Sequence, residues 1–445
     1  MTLVESTPSP PASDTLPATA GAALIAYILV SVGSSLHGDI LLLLGLPLTM
    51  AGFLVACLTA TRGAGGRAGL PLAKAAMLLS AMAAVGVVAT GVDNTRPWFN
   101  LATRAYFALA IVLVGVFAGS GAAGRRRTTS ALVIGAIALQ VAAPLGVQIR
   151  VDLWSWTQTA TLALLHGVHP YTVHAPDLQR GGFDFGSTPT LYPYMPLTLL
   201  AAAPWVAWLG DYRFGVACCL PITVALLRKA GRALEVETPF VDLLTLALVL
   251  HPLGTAMTAT GYMEPLLVMT AAVFFLFAVT APRGVGEATA FLLLPALKQY
   301  VAAPVLLYLA MRGRARSVAI GLVVAAATVA PLVWWQWRST LAGMFFFVRV
   351  PLRFRTDSDS IAALLVAMTG IEAPRSLAVL TEFVVAGVAY WRLRDRGLEG
   401  LLLASALSLL ASFLVAPQAF TNYYYFAGAL LLLSSLAAAQ RPRPA

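Results

Sequence analysis

The chain has 445 residues, 59% of them hydrophobic and 11% charged, with a formal net charge of +10. Soluble proteins are about 45–50% apolar and about 25% charged, so a soluble globular enzyme is excluded. Cys57, Cys218 and Cys219 all lie in apolar runs and supply neither a disulfide framework nor a thiolate zinc site. The Lys and Arg residues sit in short loops between apolar runs, where cytoplasmic retention of positive charge accounts for them and no nucleic-acid partner is expected.

Residues 1–17 are rich in Pro, Ser and Thr, carry Glu5 and Asp14, and hold no Lys or Arg; a disordered cytoplasmic tail is expected. Apolar runs follow near 18–36, 40–60, 70–91, 101–120 and 129–148. Each is about long enough for a helix to cross roughly 30 Å of hydrocarbon. The segment 18–128 reads as a set of N-terminal transmembrane helices, and 129–440 as a second module. The loops with Arg62 and Arg67, and with Arg125, Arg126 and Arg127, are expected in the cytoplasm, and Gln148 onward outside.

The stretch 149–193 is the longest polar interruption, and a second outer loop is expected at 338–373. Between and after them, apolar runs fall near 194–210, 213–228, 239–256, 265–281, 288–311, 317–337, 375–391, 398–416 and 423–439. If every run spans once, the basic segments 228–232, 312–316, 392–396 and 441–443 cannot all be cytoplasmic. Treating 194–210 (Pro196, Pro204) and 288–311 (Pro295, Lys298, Pro304) as re-entrant or broken repairs the parity. Non-helical backbone at membrane depth needs protein or a watery cavity around it. The expected fold is an all-α polytopic membrane protein of about 12–14 helices with a cavity at those segments, and no repeat of fixed period is visible.

Ionisable residues in or beside the bilayer are functional candidates. Asp152 follows the fifth run, in Arg150-Val151-Asp152-Leu153-Trp154-Ser155-Trp156. If 152–167 is an interfacial helix, Asp152, Trp156, Thr159, Ala163 and His166 share a face, with His166 about 21 Å from Asp152 at 1.5 Å per residue. A pairing of Asp152 with Arg150, or a helix cap, is the plain alternative. His166, His169 and His174, with Asp177 and Asp184 near, do not make a familiar metal-ligand spacing, and no metal or cofactor is expected. Lys298 lies inside an apolar run and either faces a phosphate in the cavity or pairs with Glu264; Glu264 either binds a hydroxyl or caps the helix after it. Asp39 and Asp242 read as interfacial caps.

One ordered set of motifs is more specific. Asp152 outside a membrane helix is followed by Gly167-Val168-His169-Pro170-Tyr171 and by Tyr192-Pro193-Tyr194-Met195-Pro196. Then come His251-Pro252 with Gly261-Tyr262-Met263-Glu264, Pro295-Ala296-Leu297-Lys298-Gln299-Tyr300, and Phe420-Thr421-Asn422-Tyr423-Tyr424-Tyr425. Over roughly 130–440 this set resembles membrane glycosyltransferases of the GT-C superfamily, most of all glycosyltransferase family 87. Tyr262 stands where that family usually has Gln, and Gln299 where it has Pro.

The resemblance implies an inverting glycosyltransferase in the bacterial plasma membrane, its site facing outward. It would take sugar, mannose as best guess, from a polyprenyl-phosphate donor to a glycolipid or cell-envelope glycan. Such chemistry needs a carboxylate base and cations for the departing phosphate. Asp152 fits the first role, and Lys298, Arg349, Arg353 and Arg355 the second, since guanidinium forks match phosphate oxygens. Glu264, Tyr262, His169, Tyr171, Tyr192, Asn422, Tyr423 and Tyr424 are the candidates for sugar or acceptor contacts. The three arginines also suit anchoring to lipid headgroups. Rival expectations are a transporter or lipid flippase, a ligase moving a whole lipid-linked glycan, and a non-catalytic assembly subunit.

Overall fold

The computed structural model describes residues 15–36, 44–61, 69–89, 95–147, 152–175, 191–346, 358–374 and 376–440. The described residues are helical almost throughout, and the helices track the apolar runs because in lipid a helix satisfies every backbone polar group internally. The first five are α1 (Ala18–Gly33), α2 (Leu46–Thr61), α3 (Leu72–Ala89), α4 (Pro97–Gly119) and α5 (Ala122–Gly146). Arg125, Arg126 and Arg127, expected in a loop, lie in the first turns of α5, since Arg is a good helix former whose long stem reaches back to the polar boundary. Thr15–Leu16 pairs antiparallel with Leu70–Pro71, so the last residues of the expected tail are held in a short ladder.

Then follow α6 (Asp152–Leu165), α7 (Pro196–Leu209), α8 (Arg213–Ala233), α9 (Thr238–Val249), α10 (Gly254–Thr260) and α11 (Glu264–Thr280). After them come α12 (Val285–Leu297), α13 (Ala302–Met311), α14 (Ala315–Met344) and α15 (Ile361–Thr369). The chain closes with α16 (Ser376–Leu393), α17 (Gly397–Val415) and α18 (Thr421–Ala438). Among the described residues six helical stretches are long and apolar enough to cross a membrane, or seven if the pair α9 and α10, bent by 44°, is one span. One of the six, Ser376–Val415, is 40 residues long and folds back at Arg394–Arg396 into the packed pair α16 and α17.

Side-chain contacts sort the helix ends into two groups. Arg228 at the end of α8 pairs with Asp242 at the start of α9 at 3.6 Å. Arg312 after α13 pairs with Glu287 at the start of α12 at 2.7 Å, and Arg396 donates to the carbonyls of Thr59 and Ala60 at the end of α2. At the opposite end, buried Arg213 donates to the carbonyls of Val147, Ala259 and Pro144, joining the end of α5 to the end of α10. Arg228, Arg312 and Arg396 therefore mark one end of the bundle, and Arg213 the other.

The Arg312–Glu287 pair joins the two ends of segment 285–311, so this segment enters and leaves at the basic end with Lys298 at its tip. The expected break is there: Lys298 is extended (φ −144°, ψ 133°), and Pro304 lacks the N–H that would bond back to residue 300. The other expected half-span, α7, is a 14-residue helix, about 21 Å long. The breaks at 250–253, beside Pro252, and at Gln336 within α14 (φ −154°, ψ 81°) were not anticipated.

The N-terminal helices belong to the same body as the rest. Tyr27 donates to the Ala247 carbonyl at 2.9 Å, Ser435 to that of Ala20 at 2.7 Å, and Tyr106 to that of Leu132 at 3.1 Å. Small residues let α1 and α2 approach closely, for a Cβ on Gly52 would sit 2.8 Å from Val30 Cγ2 and 3.0 Å from the Ala26 carbonyl.

Candidate functional site

A charged cluster is built where three chain breaks meet. Gly261 takes φ 80°, open to glycine, and turns the chain from α10 into α11, with its carbonyl held by the Tyr212 hydroxyl at 2.6 Å. This turn sets Glu264 at the start of α11, where its side chain is fully buried. Lys298, at the tip of the 285–311 segment, is 3% exposed and brings Nζ to 3.4 Å from Glu264 Oε1. Asn422, in the first turn of α18, donates from Nδ2 to the same oxygen at 2.8 Å, and Tyr300 donates to it at 3.4 Å. Of the two readings of Lys298, pairing with Glu264 is the arrangement present.

Three donors thus converge on Glu264 Oε1, whereas Glu264 Oε2 and Asn422 Oδ1 are buried and accept no hydrogen bond among the described residues. Aromatic rings enclose the cation: Nζ lies 4.4 Å from the Tyr194 ring centroid and 6.0 Å from that of Tyr423. An ammonium held over such faces is stabilised by the ring quadrupole while it is out of water.

Asp152 joins the cluster through Tyr194. The Tyr194 phenol, in the loop before α7, is held well above its usual pKa first by burial and next by the Asp152 carboxylate, with Tyr423 and Glu264 adding to it. Both carboxylates therefore act on one phenol. Asp152 also caps its own helix, Oδ1 accepting from the Leu153 N–H at 2.7 Å. Trp156, one turn on, meets the Tyr194 ring at 5.8 Å, and Trp154 packs with Tyr212 and Met263 beside the Gly261 turn.

The other candidates form the surrounding walls. His169 is buried, with Nε2 at 3.3 Å from the Leu332 carbonyl and 3.2 Å from Thr340 Oγ1, which pins it to the kink of α14. Burial pushes its imidazole below the usual pKa, and the Leu332 carbonyl partly offsets this. Tyr171 donates to the Tyr194 carbonyl at 2.6 Å and Tyr192 to that of Met195 at 3.4 Å, so both shape the loop that carries Tyr194. Tyr424 donates to the Asp359 carbonyl at 2.5 Å, fastening residues 358–360 to α18. Tyr262 packs half-buried against the main core. His166 follows α6 and is exposed. Arg349, Arg353, Arg355, Arg150, Asp39, Asp177 and Asp184 lie outside the described residues.

Three residues of the quoted motifs, Tyr194, Gln299 and Tyr300, also shape the site, and so does Glu382, which the sequence did not single out. Tyr194 and Tyr300 carry the rings and hydroxyl around the ion pair. Gln299 donates from Nε2 to the carbonyls of Pro193 and Met344, both at 3.0 Å, tying the Lys298 tip to the Tyr194 loop and to the end of α14. Glu382, buried in α16, accepts from the Ala303 N–H at 3.4 Å in the first turn of α13. A lone carboxylate inside the apolar run 375–391 was the available signal for it. Among the described residues no three His, Cys, Asp or Glu side chains gather as a metal site would require.

Comparison with protein-family models, with curated proteins and with solved structures found no match to this chain.

Proposed function

We propose that this protein is a membrane glycosyltransferase that moves a sugar, mannose as first candidate, from a polyprenyl-phosphate donor to a hydroxyl of a glycolipid or cell-envelope glycan. The observation that carries the reading is the buried Lys298–Glu264 pair against the Tyr194 ring, at the tip of a returning segment, with the helix that starts at Asp152 packed on the same ring through Trp156. Buried charge of this kind is costly in a membrane and is retained where it does chemistry.

In the proposed reaction Asp152 takes the proton of the acceptor hydroxyl as its oxygen forms a bond to the anomeric carbon. The bond from that carbon to the phosphate oxygen breaks, and its electron pair leaves on the polyprenyl phosphate. Lys298, with Arg349, Arg353 and Arg355, offsets the charge gathering on the leaving group. One displacement inverts the anomeric centre. Positive-inside retention puts the basic helix ends in the cytoplasm and this site toward the outside of a bacterial plasma membrane.

Broken helices also suit a transporter, the second reading. In inverted-repeat transporters, broken helices stand in corresponding places of two halves, whereas here the segments 238–260 and 285–311 are near neighbours in the chain, which favours the transferase. The test is transfer of radiolabel from synthetic polyprenyl-phosphate mannose, arabinofuranose and glucose by purified protein. Label is expected in a glycolipid or glycan product from one of them; no transfer from any would overturn the reading.

A further inference from the structure

Glu264 and Asn422 hold an arrangement that the ion pair alone does not explain. Glu264 is 0% exposed and Asn422 3%. Three donors crowd Glu264 Oε1, yet its second oxygen accepts nothing among the described residues. The orientation of the Asn422 amide is fixed chemically: a carboxylate oxygen only accepts, so the group facing it at 2.8 Å is the NH2, and Oδ1 is left as a second buried acceptor. A buried acceptor without a donor costs about as much as a lost hydrogen bond, and here there are two on adjoining groups. Given C–O and C–N bonds of about 1.2–1.3 Å, the two oxygens are no more than about 7 Å apart.

A ligand that satisfies both must donate twice over a short span. A phosphate at neutral pH is chiefly an acceptor and does not meet that need, and a metal cation is disfavoured beside the Lys298 ammonium at 3.4 Å from Glu264. A ring carrying several hydroxyls meets it. Lys298 also fixes which ring: the cation that would hold the donor phosphate is bonded to the same carboxylate, so the hydroxyls in reach belong to the sugar directly attached to that phosphate.

We infer that Glu264 Oε2 and Asn422 Oδ1 form a hydroxyl-reading subsite for the donor sugar, so that this site selects polyprenyl-phosphate sugars by two O–H groups near the anomeric phosphate. The inference rests on the transferase reading and adds to it the rule by which donors are sorted. Lys298, Tyr300 and Asn422 Nδ2 hold the carboxylate so that Oε2 stays an acceptor. A sugar lacking one of the two hydroxyls leaves a buried oxygen unpaired and is rejected, as sites built around hydrogen bonds reject analogues that lack them.

The test uses full-length protein carrying Asp152→Asn, which removes the proposed base, and measures equilibrium binding of radiolabelled polyprenyl-phosphate mannose, of its four monodeoxy analogues and of polyprenyl phosphate alone. Two of the deoxy donors are expected to bind about 10-fold or more weaker than the parent. Adding Glu264→Gln, which keeps the shape but puts an NH2 at the accepting position, is expected to weaken the parent and to cost one of those deoxy donors little more. Asn422→Asp, which keeps an oxygen at Oδ1, should retain the discrimination if its fold is intact by thermal unfolding. Equal binding of all the deoxy donors, or of polyprenyl phosphate as tightly as the sugar donor, overturns the subsite and leaves the transferase reading standing. Absence of binding by both the sugar donor and polyprenyl phosphate overturns that reading and the inference with it.

Discussion

Glu264 is the residue on which the cluster turns, because it neutralises a lysine that is itself almost without solvent. Removing one member of a buried pair leaves the other charge uncompensated, which costs about 3–5 kcal/mol. Thermal unfolding in detergent is therefore expected to drop sharply in Glu264→Ala and to recover in Glu264→Ala with Lys298→Met; no recovery would mean that the pair is not what holds this region. His169 gives a pH signature. Its folded-state pKa is depressed, so as pH falls below about 6.5 the unfolded chain gains a proton that the folded chain resists. The stability it contributes is present above that pH and is lost below it, by up to about 1.4 kcal/mol per pH unit. His169→Gln is expected to flatten the slope of stability against pH between about 6.5 and 5 relative to the wild type; an unchanged slope would remove His169 as its cause. Lys298 was legible in the sequence because a charge in an apolar run stands out, and Asp152 and Glu264 because each stands close to the edge of one. Tyr194 and Tyr300 were legible only as members of motifs, since a tyrosine at a helix start is equally expected from the aromatic belt.

At the scale of elements, breaks rather than helices position the site. The Gly261 turn has φ 80°, and a Cβ there would lie 2.5 Å from the Tyr212 hydroxyl. Gly261→Ala is expected to lose about 1–2 kcal/mol from the backbone alone and, by moving the start of α11, to lower transfer more than Leu267→Ala, a core change farther along the same helix. Gln299→Ala removes two hydrogen bonds of 3.0 Å between the Lys298 tip and its neighbours. Hydrogen–deuterium exchange is expected to quicken at 191–195 and 299–301 in that variant, and unchanged exchange would show that the tip is held by packing. The break at Lys298 was readable from Pro295, Lys298 and Pro304 in one apolar run. The bend at 250–253 and the kink at Gln336 had Pro252 and Pro331 as their sequence signals, but a lone proline does not announce a break, since Pro144 and Pro221 sit inside continuous helices of the same chain.

For the whole molecule the contacts sort by end: segment 285–311 returns to the end it left, and the Arg228, Arg312 and Arg396 ends each pair with a neighbouring helix end. A membrane-impermeant thiol reagent applied outside intact cells is expected to label Val168→Cys and to spare Ala122→Cys; the reverse pattern would place the cluster on the cytoplasmic side. Helix existence was legible because about 20 apolar residues have few alternatives in a bilayer, whereas the docking of the N-terminal helices depends on contacts such as Tyr27 to the Ala247 carbonyl, 220 residues apart in sequence. Asp152 is the residue on which the proposed reaction depends most directly. The deciding measurement is transfer of radiolabelled sugar from the active polyprenyl-phosphate donor by purified wild type and Asp152→Asn, with and without EDTA, and the anomeric configuration of the product. A loss of about 10²–10⁴-fold in the variant, indifference to EDTA and an inverted product are predicted; equal rates in the two proteins, or a retained configuration, would contradict the account.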